Sequence, residues 1–266
     1  MFPNVPLARL PPGNRAFLLV KKDTHDFRKK LESIAQSHHL STVFNSFCRL
    51  AACALAAQTR EPEYLAEAKR WTKPELTLFA EALGCLTHEM ERKPFEDVLG
   101  THYLEFALSQ KGQQWNGEFH TPKTICDLMA RITFDPATMP AEGPITVCEP
   151  ACGAGAMILS LGEICAPAVR RRLRVTAIDI NATACDMCFI NTTLWGIPAR
   201  VIHGDTIALK FYSAWSNIHY LLPWLPLVKG QRPPAEVVAA QGQPPPPAEV
   251  AVIAKTLHQT ELFEMA

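Results

Sequence analysis

The sequence predicts an α/β protein with a parallel sheet, the smaller half of a Rossmann-like fold, preceded by a helical region. Three short β-branched runs support this: ITVCEP from Ile145, RVTAIDI from Arg174 and ARVIHGD from Ala199. A turn signal and a helical stretch follow each of the first two runs. Alternation of strand and helix is typical of parallel sheets with right-handed crossovers.

The remaining segments divide the chain into three predicted regions. Apolar residues recur at intervals of three and four from Thr24 to about Arg92, which predicts a helical N-terminal region over residues 1–94. The strand-rich Rossmann-like domain takes residues 95–228. Residues 229–266 begin with a proline-rich linker and end in a tail that is predicted to be a short docking helix or frayed.

Composition limits the function classes. The 266 residues hold 26 basic and 26 acidic side chains, so no strong net field attracts nucleic acid or an anionic membrane. No run reaches the roughly 18 apolar residues of a membrane span, and prolines interrupt the N-terminus where a signal peptide needs an apolar core. We therefore expect a soluble cytoplasmic protein without a membrane partner.

The nine cysteines have the pattern expected of buried thiols in a reducing compartment, because they are odd in number and stand in apolar contexts. Cys185 and Cys188 form a C-x-x-C pair, but no second pair or histidine pair stands at zinc-binding spacing. We expect no metal site.

The stretch TVCEPACGAGAMILSL, residues 146–161, contains the first candidate site. The strand is predicted to end at Glu149, and the residues up to Gly155 turn the chain directly into a helix. Gly153 and Gly155 allow a sharp bend and let a ligand approach without a Cβ in the way. Ligands of such sheets bind at the carboxyl ends of the strands, although a tight turn without a ligand would need the same glycines.

Two carboxylates strengthen the ligand interpretation. Asp179 ends the second predicted strand, where a carboxylate can accept hydrogen bonds from ribose hydroxyls. Asp205 ends the third strand at the same edge and could accept from an adenine amine. The turn lacks the Lys-Ser/Thr of a phosphate-binding loop, and Glu149 disfavours a pyrophosphate and favours a cationic ligand.

These residues resemble a known family. CEPACGAGAM is similar to the S-adenosylmethionine loop of N6-adenine DNA methyltransferases, especially the modification subunits of type I restriction systems. GEFHTP resembles the Gly-x-Phe-x-Thr-Pro element before that loop, and AIDIN and HGDT match the next two motifs in order. The resemblance covers about Phe95 to Thr206 and implies an S-adenosylmethionine-dependent methyltransferase fold. We expect this fold to be truncated, because a complete sheet of the family has about seven strands and only three are clear in this sequence.

The resemblance also assigns roles. Thr121 and Pro122 would border the methionine end of S-adenosylmethionine, Asp179 would bind the ribose, and Asp205 would bind the adenine. The amino acid moiety would be held by the turn, whose cofactor-binding residues are Glu149, Pro150, Ala151, Cys152, Gly153 and Gly155. An N-cap followed by proline is the alternative interpretation of Thr121.

The family's catalytic tetrapeptide, Asn/Asp/Ser-Pro-Pro-aromatic, is absent from this sequence. Its polar side chain and ring hold the adenine that is flipped out of the duplex. The segment NIHY retains its first and last residues, so Asn217 and Tyr220 are the catalytic candidates, while LPWL at residues 222–225 is a weaker match. The preceding KFYSAWS is a poor buried strand, so these aromatic residues could instead belong to the core or a partner surface.

Two functions therefore remain open. The chain could be a DNA adenine-N6 methyltransferase that obtains its specificity from a partner subunit. It could instead be a catalytically inactive S-adenosylmethionine-binding protein with a regulatory or assembly role. Methyl transfer to another substrate is disfavoured by GEFHTP. The cluster RRRLR at residues 170–174 fits a solvated helix end better than a DNA track.

Overall fold

The computed structural model describes residues 26–56, 59–109, 121–135, 138–221 and 241–261. The described residues before the sheet are mainly helical, as predicted. Its helices are α1 Phe27–Ile34, α2 Leu40–Leu55, α3 Glu61–Ala68, α4 Lys73–Arg92, α5 Val98–Ser109 and α6 Lys123–Thr133. The longest, α4, begins at a capping box in which the side chains of Thr72 and Glu75 each accept a hydrogen bond from the other's backbone amide.

Strands and helices alternate after α6. The elements are β1 Ile145–Glu149, α7 Ala156–Ile164, α8 Pro167–Arg170, β2 Leu173–Asp179, α9 Ala182–Leu194, β3 Ala199–Asp205, β4 Lys210–Ser216, α10 Ile218–Leu221 and α11 Pro247–Glu261. The start of α9 is set by Asn181, whose side chain accepts hydrogen bonds from the backbone amides of Thr183 and Ala184 at 2.8 and 3.3 Å.

The three predicted strands are confirmed as neighbouring parallel strands. The described sheet has the order β1-β2-β3-β4, in which β1, β2 and β3 are parallel. Glu149 pairs with Ala177 and Asp179 pairs with His203, so the carboxyl ends of the strands lie along one edge of the sheet. The chain is therefore an α/β protein.

The fourth strand runs in the opposite direction. The segment KFYSAWS, expected to be a poor buried strand, forms β4 and pairs antiparallel with β3. Its first four residues alternate between exposed and half-buried, which suits an outer strand with one solvated face. A register irregularity lies between His203 and Gly204. Because β4 is antiparallel, it returns the chain to the amino edge of the sheet.

One apolar core joins the helical region to the sheet. It runs without interruption from α1, α2 and α4 to the side chains of β1, β2 and β3 that face α7 and α9. The buried Arg60, which precedes α3, bonds Asp186 of α9 at 3.2 Å, and its guanidinium lies 4.4 Å from the ring centre of Trp215. The regions on either side of residue 94 are thus packed together through both apolar and charged contacts.

The opposite face of the sheet is covered by the C-terminal helix. Ile253 of α11 packs against Ile178, Ile202 and Ala214. Arg200 of β3 forms a 3.2 Å ion pair with Glu249. The tail is therefore a docked helix over the residues that the structure describes. No helix among them is long and apolar enough to cross a membrane.

Candidate cofactor site

The carboxyl edge of the sheet brings together the three predicted carboxylates. Glu149, Asp179 and Asp205 are the last residues of β1, β2 and β3. All three side chains are half-buried. The parallel register places their strand ends side by side, so the sequence prediction that they share one edge is confirmed; their ligand roles stay a prediction.

The turn after β1 is fastened to the neighbouring strand. The backbone amide of Gly153 donates to Oδ2 of Asp179 at 2.8 Å, and the amide of Cys152 donates to the carbonyl of Ile178 at 2.8 Å. Within the turn, the amide of Gly155 donates to the carbonyl of Cys152 at 2.8 Å. The turn is thus held against the end of β2, and α7 begins immediately after it.

Both glycines of the turn have backbone conformations that disfavour other residues. Gly153 has φ +52° and Gly155 has φ +93°. A Cβ on Gly155 would lie 3.1 Å from Sγ of Cys188 on α9, so this glycine permits close packing of the turn on a helix. A Cβ on Gly153 would meet no atom of the described chain within 4 Å. Gly153 therefore faces open space in which a ligand could approach the backbone.

The edge is electronegative. Among the described residues, none of Glu149, Asp179 and Asp205 forms an ion pair with a lysine, arginine or histidine. Burial raises the pKa of Glu149, the backbone amide of Ala151 lowers it, and the nearby charge of Asp179 raises it further. A cationic ligand would compensate this concentration of negative charge, whereas a phosphate would add to it.

The two aspartates retain capacity for a ligand. Oδ1 of Asp179 accepts from the amide of Asn181 at 2.8 Å, and Oδ1 of Asp205 accepts from the amide of Ala208 at 2.9 Å. Each carboxylate oxygen can accept more than one hydrogen bond. These local bonds orient the carboxylates and leave lone pairs for hydroxyl or amine donors.

Sequence reasoning missed two apolar side chains at the same edge. Ile180 follows Asp179 and is 64% exposed, while Ile207 lies two residues after Asp205 and is 99% exposed. The hydroxyl of Thr206, the residue before Ile207, donates to the carbonyl of Pro150 at 2.7 Å. Isoleucine directly after a strand-terminal acid is the signal that could have identified Ile180, but exposure is visible only in the fold.

Thr121 and Pro122 lie at the start of α6, which packs against α7. Pro122 is the N-cap residue of α6, and both residues are exposed. The carbonyl of Thr121 accepts from Sγ of Cys126 at 3.5 Å. No hydrogen bond joins Thr121 to the glycine turn among the residues that the structure describes, so its cofactor role stays a prediction. The preceding GEFH lies outside the described residues.

Asn217 occupies the opposite edge of the sheet. Ser216, the last residue of β4, pairs with Arg200 at the beginning of β3, so Asn217 lies beside the amino end of that strand. Seven residues of β3 separate this end from Asp205, a distance of about 20 Å at about 3.3 Å per residue. The structure does not bring the predicted catalytic residue to the predicted cofactor residues.

The Asn217 side chain is fully buried and engaged with the backbone. Its Oδ1 accepts from the amides of Ala199 and Tyr220 at 3.2 and 3.0 Å, and its Nδ2 donates to the carbonyl of Ile197 at 2.8 Å. Tyr220 lies 5.7 Å from the guanidinium carbon of Arg174 at the start of β2, and burial raises its pKa. In the described fold Asn217 and Tyr220 thus lie away from the cofactor edge, and their catalytic role stays a prediction. The other weak match, at residues 222–225, lies outside the described residues.

The arginine cluster before β2 is engaged with the protein. Arg170 donates to the carbonyls of Gly162 and Cys165 at 2.8 and 3.1 Å, and Arg172 donates to the carbonyl of Gly143 at 2.8 Å. These guanidinium groups satisfy backbone carbonyls, so they form a structural element at the amino edge of the sheet. Arg170 and Arg172 are half-buried, so they are less solvated than the sequence predicted for a helix end.

The cysteines are free thiols, eight of them buried. Within the described ranges no three histidine, cysteine or acidic side chains lie close enough together to hold a metal ion. Cys185 instead donates to the carbonyl of Asp179 at 3.4 Å. The C-x-x-C pair is thus part of the packing beneath the carboxyl edge.

Two comparisons relate the sequence to known proteins. The sequence model of the family described as N-6 DNA Methylase matches residues 95–227, half of the chain. The methylase subunit of the type I restriction enzyme MpnII of Mycoplasma pneumoniae is 29% identical over 142 residues, which are 50% of this chain and 24% of that subunit. The chain thus spans about a quarter of the length of this relative. Because the family match contains β1, β2, β3 and the glycine turn, the chain belongs to the N-6 DNA methylase family.

Proposed function

We propose that the chain binds S-adenosylmethionine at the carboxyl edge of its sheet and functions in methyl transfer to the N6 amine of adenine in DNA. The main support is the convergence of three carboxylates without ion-pair partners in the described chain on one open glycine turn. In this proposal residues 95–228 form a Rossmann-like methyltransferase domain. Residues 1–94 form its helical N-terminal region, and residues 229–266 are a linker and tail.

The shape and charge of the edge fit this cofactor. Glu149 would face the cationic methionine end, which the backbone of the glycine turn would border together with Thr121 and Pro122. Asp179 would accept from the ribose hydroxyls. Asp205 would accept from the adenine amine, and the exposed side chains of Ile180 and Ile207 would cover the faces of the ring. These assignments use polar and apolar groups that the described fold leaves accessible.

When bound, S-adenosylmethionine would supply an electrophilic methyl group on a sulfonium. The residues of this chain would hold it and orient its methyl group away from the carboxylates. The acceptor adenine must be held on the same edge for its amine to reach that methyl group. The described residues supply no Asn-Pro-Pro-aromatic element there, so we propose that this part comes from elsewhere, with a specificity subunit as the favoured partner.

The relative's name supports DNA as the substrate and other subunits as partners, since it is the methylase subunit of a restriction enzyme. The balanced net charge of this chain gives little independent attraction to DNA. We therefore propose that DNA binding depends on a partner that contributes basic surface.

Calorimetric titration with S-adenosylmethionine tests the cofactor proposal. We expect saturable binding by the unmodified chain and a loss of affinity of about tenfold or more for Asp179→Ala. Absence of binding, or binding unaffected by this substitution, would contradict the proposal. Glu142→Gln provides a matched control, because Glu142 is an exposed acid on the loop before β1.

Transfer of a radiolabelled methyl group to unmethylated DNA tests the reaction. Label recovered as N6-methyladenine from a digest would support methyltransferase activity. Transfer to cytosine or to protein would contradict it. The assay is run with the chain alone and with any subunit encoded beside it.

The placement of Asn217 favours a second function, an S-adenosylmethionine-binding subunit without catalysis. Its amide is engaged in holding β3 to α10, about 20 Å from the cofactor edge by the rise of β3. Such a chain would bind the cofactor with full affinity and transfer no methyl group with or without its partner. The two assays together distinguish this function from the first.

A further inference from the structure

The strongest unassigned feature is a buried asparagine beneath the glycine turn. Asn191 lies on α9, is completely buried, and is surrounded mainly by apolar residues of the core. Its Nδ2 donates to the carbonyl of Ala154 at 2.8 Å and to Oδ1 of Asp97 at 3.1 Å. Ala154 is the residue between the two left-handed glycines. The amide therefore reaches the turn from the side opposite to the proposed ligand.

We infer that Asn191 is a positioning residue that holds the glycine turn in its ligand-binding conformation. The inference rests on the proposed function, because that proposal assigns the turn to S-adenosylmethionine. It adds a residue that neither lies at the edge nor touches the ligand. The contact that defines it is the hydrogen bond to the carbonyl of Ala154.

The backbone around Ala154 explains why such a contact is needed. With glycine on both sides, the peptide groups of the turn have more rotational freedom than those of other residues. The peptide group joining Ala154 to Gly155 is fixed at both ends: its carbonyl accepts from Asn191, and its N–H donates to the carbonyl of Cys152 at 2.8 Å. Asp179 fixes the amide of Gly153 from the edge. Asn191 supplies the corresponding restraint from the core.

The balance of hydrogen bonds at Asn191 indicates which part of the amide matters. Both hydrogens of Nδ2 have acceptors, whereas Oδ1 is buried without a hydrogen-bond partner in the described part of the chain. A buried acceptor without a partner lowers stability. A leucine of similar size would avoid that penalty, so the donor function is the property that distinguishes asparagine at this position.

The same amide connects the turn to α5. Oδ1 of Asp97 also accepts from the amide of Gly100 at 2.8 Å, and the carbonyl of Asp97 accepts from the amide of Thr101 at 3.2 Å, so Asp97 caps the helix. The Nδ2 group of Asn191 thus donates one hydrogen bond to Asp97 at the start of α5 and one to Ala154 in the glycine turn. The family match begins at residue 95, two residues before this cap. The beginning of α5 and the cofactor turn thus form one connected unit.

The test compares Asn191→Leu with Thr193→Val. Thr193 lies on the same buried helix, and its hydroxyl donates only within α9, to the carbonyl of Phe189 at 2.6 Å. Asn191→Leu removes two buried hydrogen bonds and Thr193→Val removes one, but only the first substitution releases the turn. If the released turn occupies its binding conformation about a tenth of the time, the apparent Kd for S-adenosylmethionine rises about tenfold. We expect this for Asn191→Leu and less than a twofold change for Thr193→Val.

A second ligand separates positioning from general destabilisation. Adenosine lacks the methionine moiety that the turn is proposed to hold, so its Kd should be nearly unchanged in Asn191→Leu. Equal weakening of both ligands, or unchanged affinity for S-adenosylmethionine, would overturn the inference. Asp97→Asn retains the acceptor oxygen and should bind like the unmodified chain. If Asn191→Leu does not fold, Asn191→Ala provides the same comparison.

Hydrogen exchange provides a measurement that is independent of the proposed function. In the ligand-free protein, protection of the Gly155 amide should fall in Asn191→Leu and stay unchanged in Thr193→Val. If the unmodified chain binds no S-adenosylmethionine, the proposed function is wrong, while this measurement still decides whether Asn191 holds the turn. Unchanged exchange at Gly155 would show that it does not.

Discussion

Asp179 accepts a 2.8 Å hydrogen bond from the backbone amide of Gly153, which links the end of β2 to the glycine turn after β1. The same carboxylate accepts from the amide of Asn181 at 2.8 Å, just before α9. One side chain thus orders two loops of the carboxyl edge. If the edge binds S-adenosylmethionine, Asp179 both shapes the site and contacts the ligand.

Asp179→Asn should weaken S-adenosylmethionine binding by about tenfold or more, because charged hydrogen bonds contribute about 1.5–3 kcal/mol each. Asparagine has one acceptor oxygen, so its amino group would face either the amide of Gly153 or that of Asn181. Calorimetry at neutral pH measures the change. Unaltered affinity in this variant would show that the carboxylate is not a ligand group.

Glu149→Gln should raise the stability of the fold at neutral pH and weaken ligand binding. Burial raises the pKa of Glu149, so the folded state holds this proton more tightly than the unfolded state does. As pH rises through the raised pKa, the carboxylate ionises in the fold and stability is lost. The substitution removes that penalty. We therefore expect a higher Tm at neutral pH, and little difference at a pH below the unfolded pKa of the group.

The same substitution should weaken binding of the cationic ligand, by about tenfold at neutral pH on the magnitude of a charge-assisted contact. In the unmodified chain, affinity should increase as pH rises through the raised pKa of Glu149 and then level off. Glu149→Gln should lose this part of the pH dependence. Calorimetric titrations at several pH values, with Glu142→Gln as control, measure it. A variant that keeps the full pH dependence would assign the effect to another group.

The two glycines of the turn should differ in their tolerance of alanine. In Gly153→Ala the added methyl group faces open space, so the free energy of unfolding should fall by about 1–2 kcal/mol, the strain of a left-handed residue. Gly155→Ala combines its positive φ with a 3.1 Å contact to Sγ of Cys188, so it should cost more. Urea unfolding measures both.

Cys188→Ala provides the control for that contact. Combined with Gly155→Ala, it should recover part of the lost stability, because the added methyl group contacts the sulfur of Cys188. Combined with Gly153→Ala, it should recover none. A double-mutant cycle gives the coupling. If the two glycine variants lose equal stability, packing against α9 is not what requires glycine at position 155.

The parallel half of the sheet could be predicted because each strand contains β-branched residues and ends at an acid followed by a turn. Glu149, Asp179 and Asp205 therefore fell on one edge by topology alone. The direction of β4 could not be predicted in this way. Its mixture of polar and aromatic residues is compatible with either direction, and the pairing with β3 decides it.

That direction also explains why the catalytic candidate lies far from the predicted cofactor residues. Asn217 follows the cofactor motifs in sequence at a plausible interval, but an antiparallel strand takes it to the amino edge. Asn191 is the opposite case, a residue that the sequence does not single out but that the fold places against the glycine turn. An asparagine within a helix has no distinctive spacing, and its importance depends on contacts with Ala154 and Asp97 that lie far from it in sequence.

The buried contact between Arg60 and Asp186 predicts that the helical region and the sheet unfold together. Asp186 accepts a hydrogen bond from Arg60 at 3.2 Å and forms an ion pair with Arg49 at 3.0 Å, and both Arg60 and Asp186 are buried. Replacing Asp186 by Asn removes one ion pair from each arginine and leaves Glu63 as their remaining acidic partner in the described chain, so it should cost about 3 kcal/mol. The control is Glu61→Gln, since Glu61 is exposed at the start of α3.

Fluorescence and circular dichroism should report one transition for this chain. Trp71 lies beside the helical core and Trp215 on β4, so variants that retain one or the other tryptophan report the two parts separately. Coincident midpoints in urea would establish a single cooperative unit. Two separated transitions would instead support independent folding on either side of residue 94.

Asn217→Ala should affect stability and leave the cofactor site intact. The substitution leaves the carbonyl of Ile197 and the amide of Ala199 without their buried side-chain partner, and each such loss costs about 1–3 kcal/mol. The amide of Tyr220 keeps its hydrogen bond to the backbone carbonyl of residue 217. The distance of Asn217 from the carboxyl edge predicts a Kd for S-adenosylmethionine within about twofold of the unmodified chain, as independent sites behave additively. Urea unfolding and calorimetry measure the two quantities.

If the chain methylates DNA, the Asn217→Ala variant should still transfer methyl groups at temperatures where it is folded, since the Asn217 amide is already engaged by the backbone. Complete loss of transfer in a folded variant with unchanged cofactor affinity would restore Asn217 as the acceptor-binding residue and would require the amino edge of the sheet to rearrange when DNA binds.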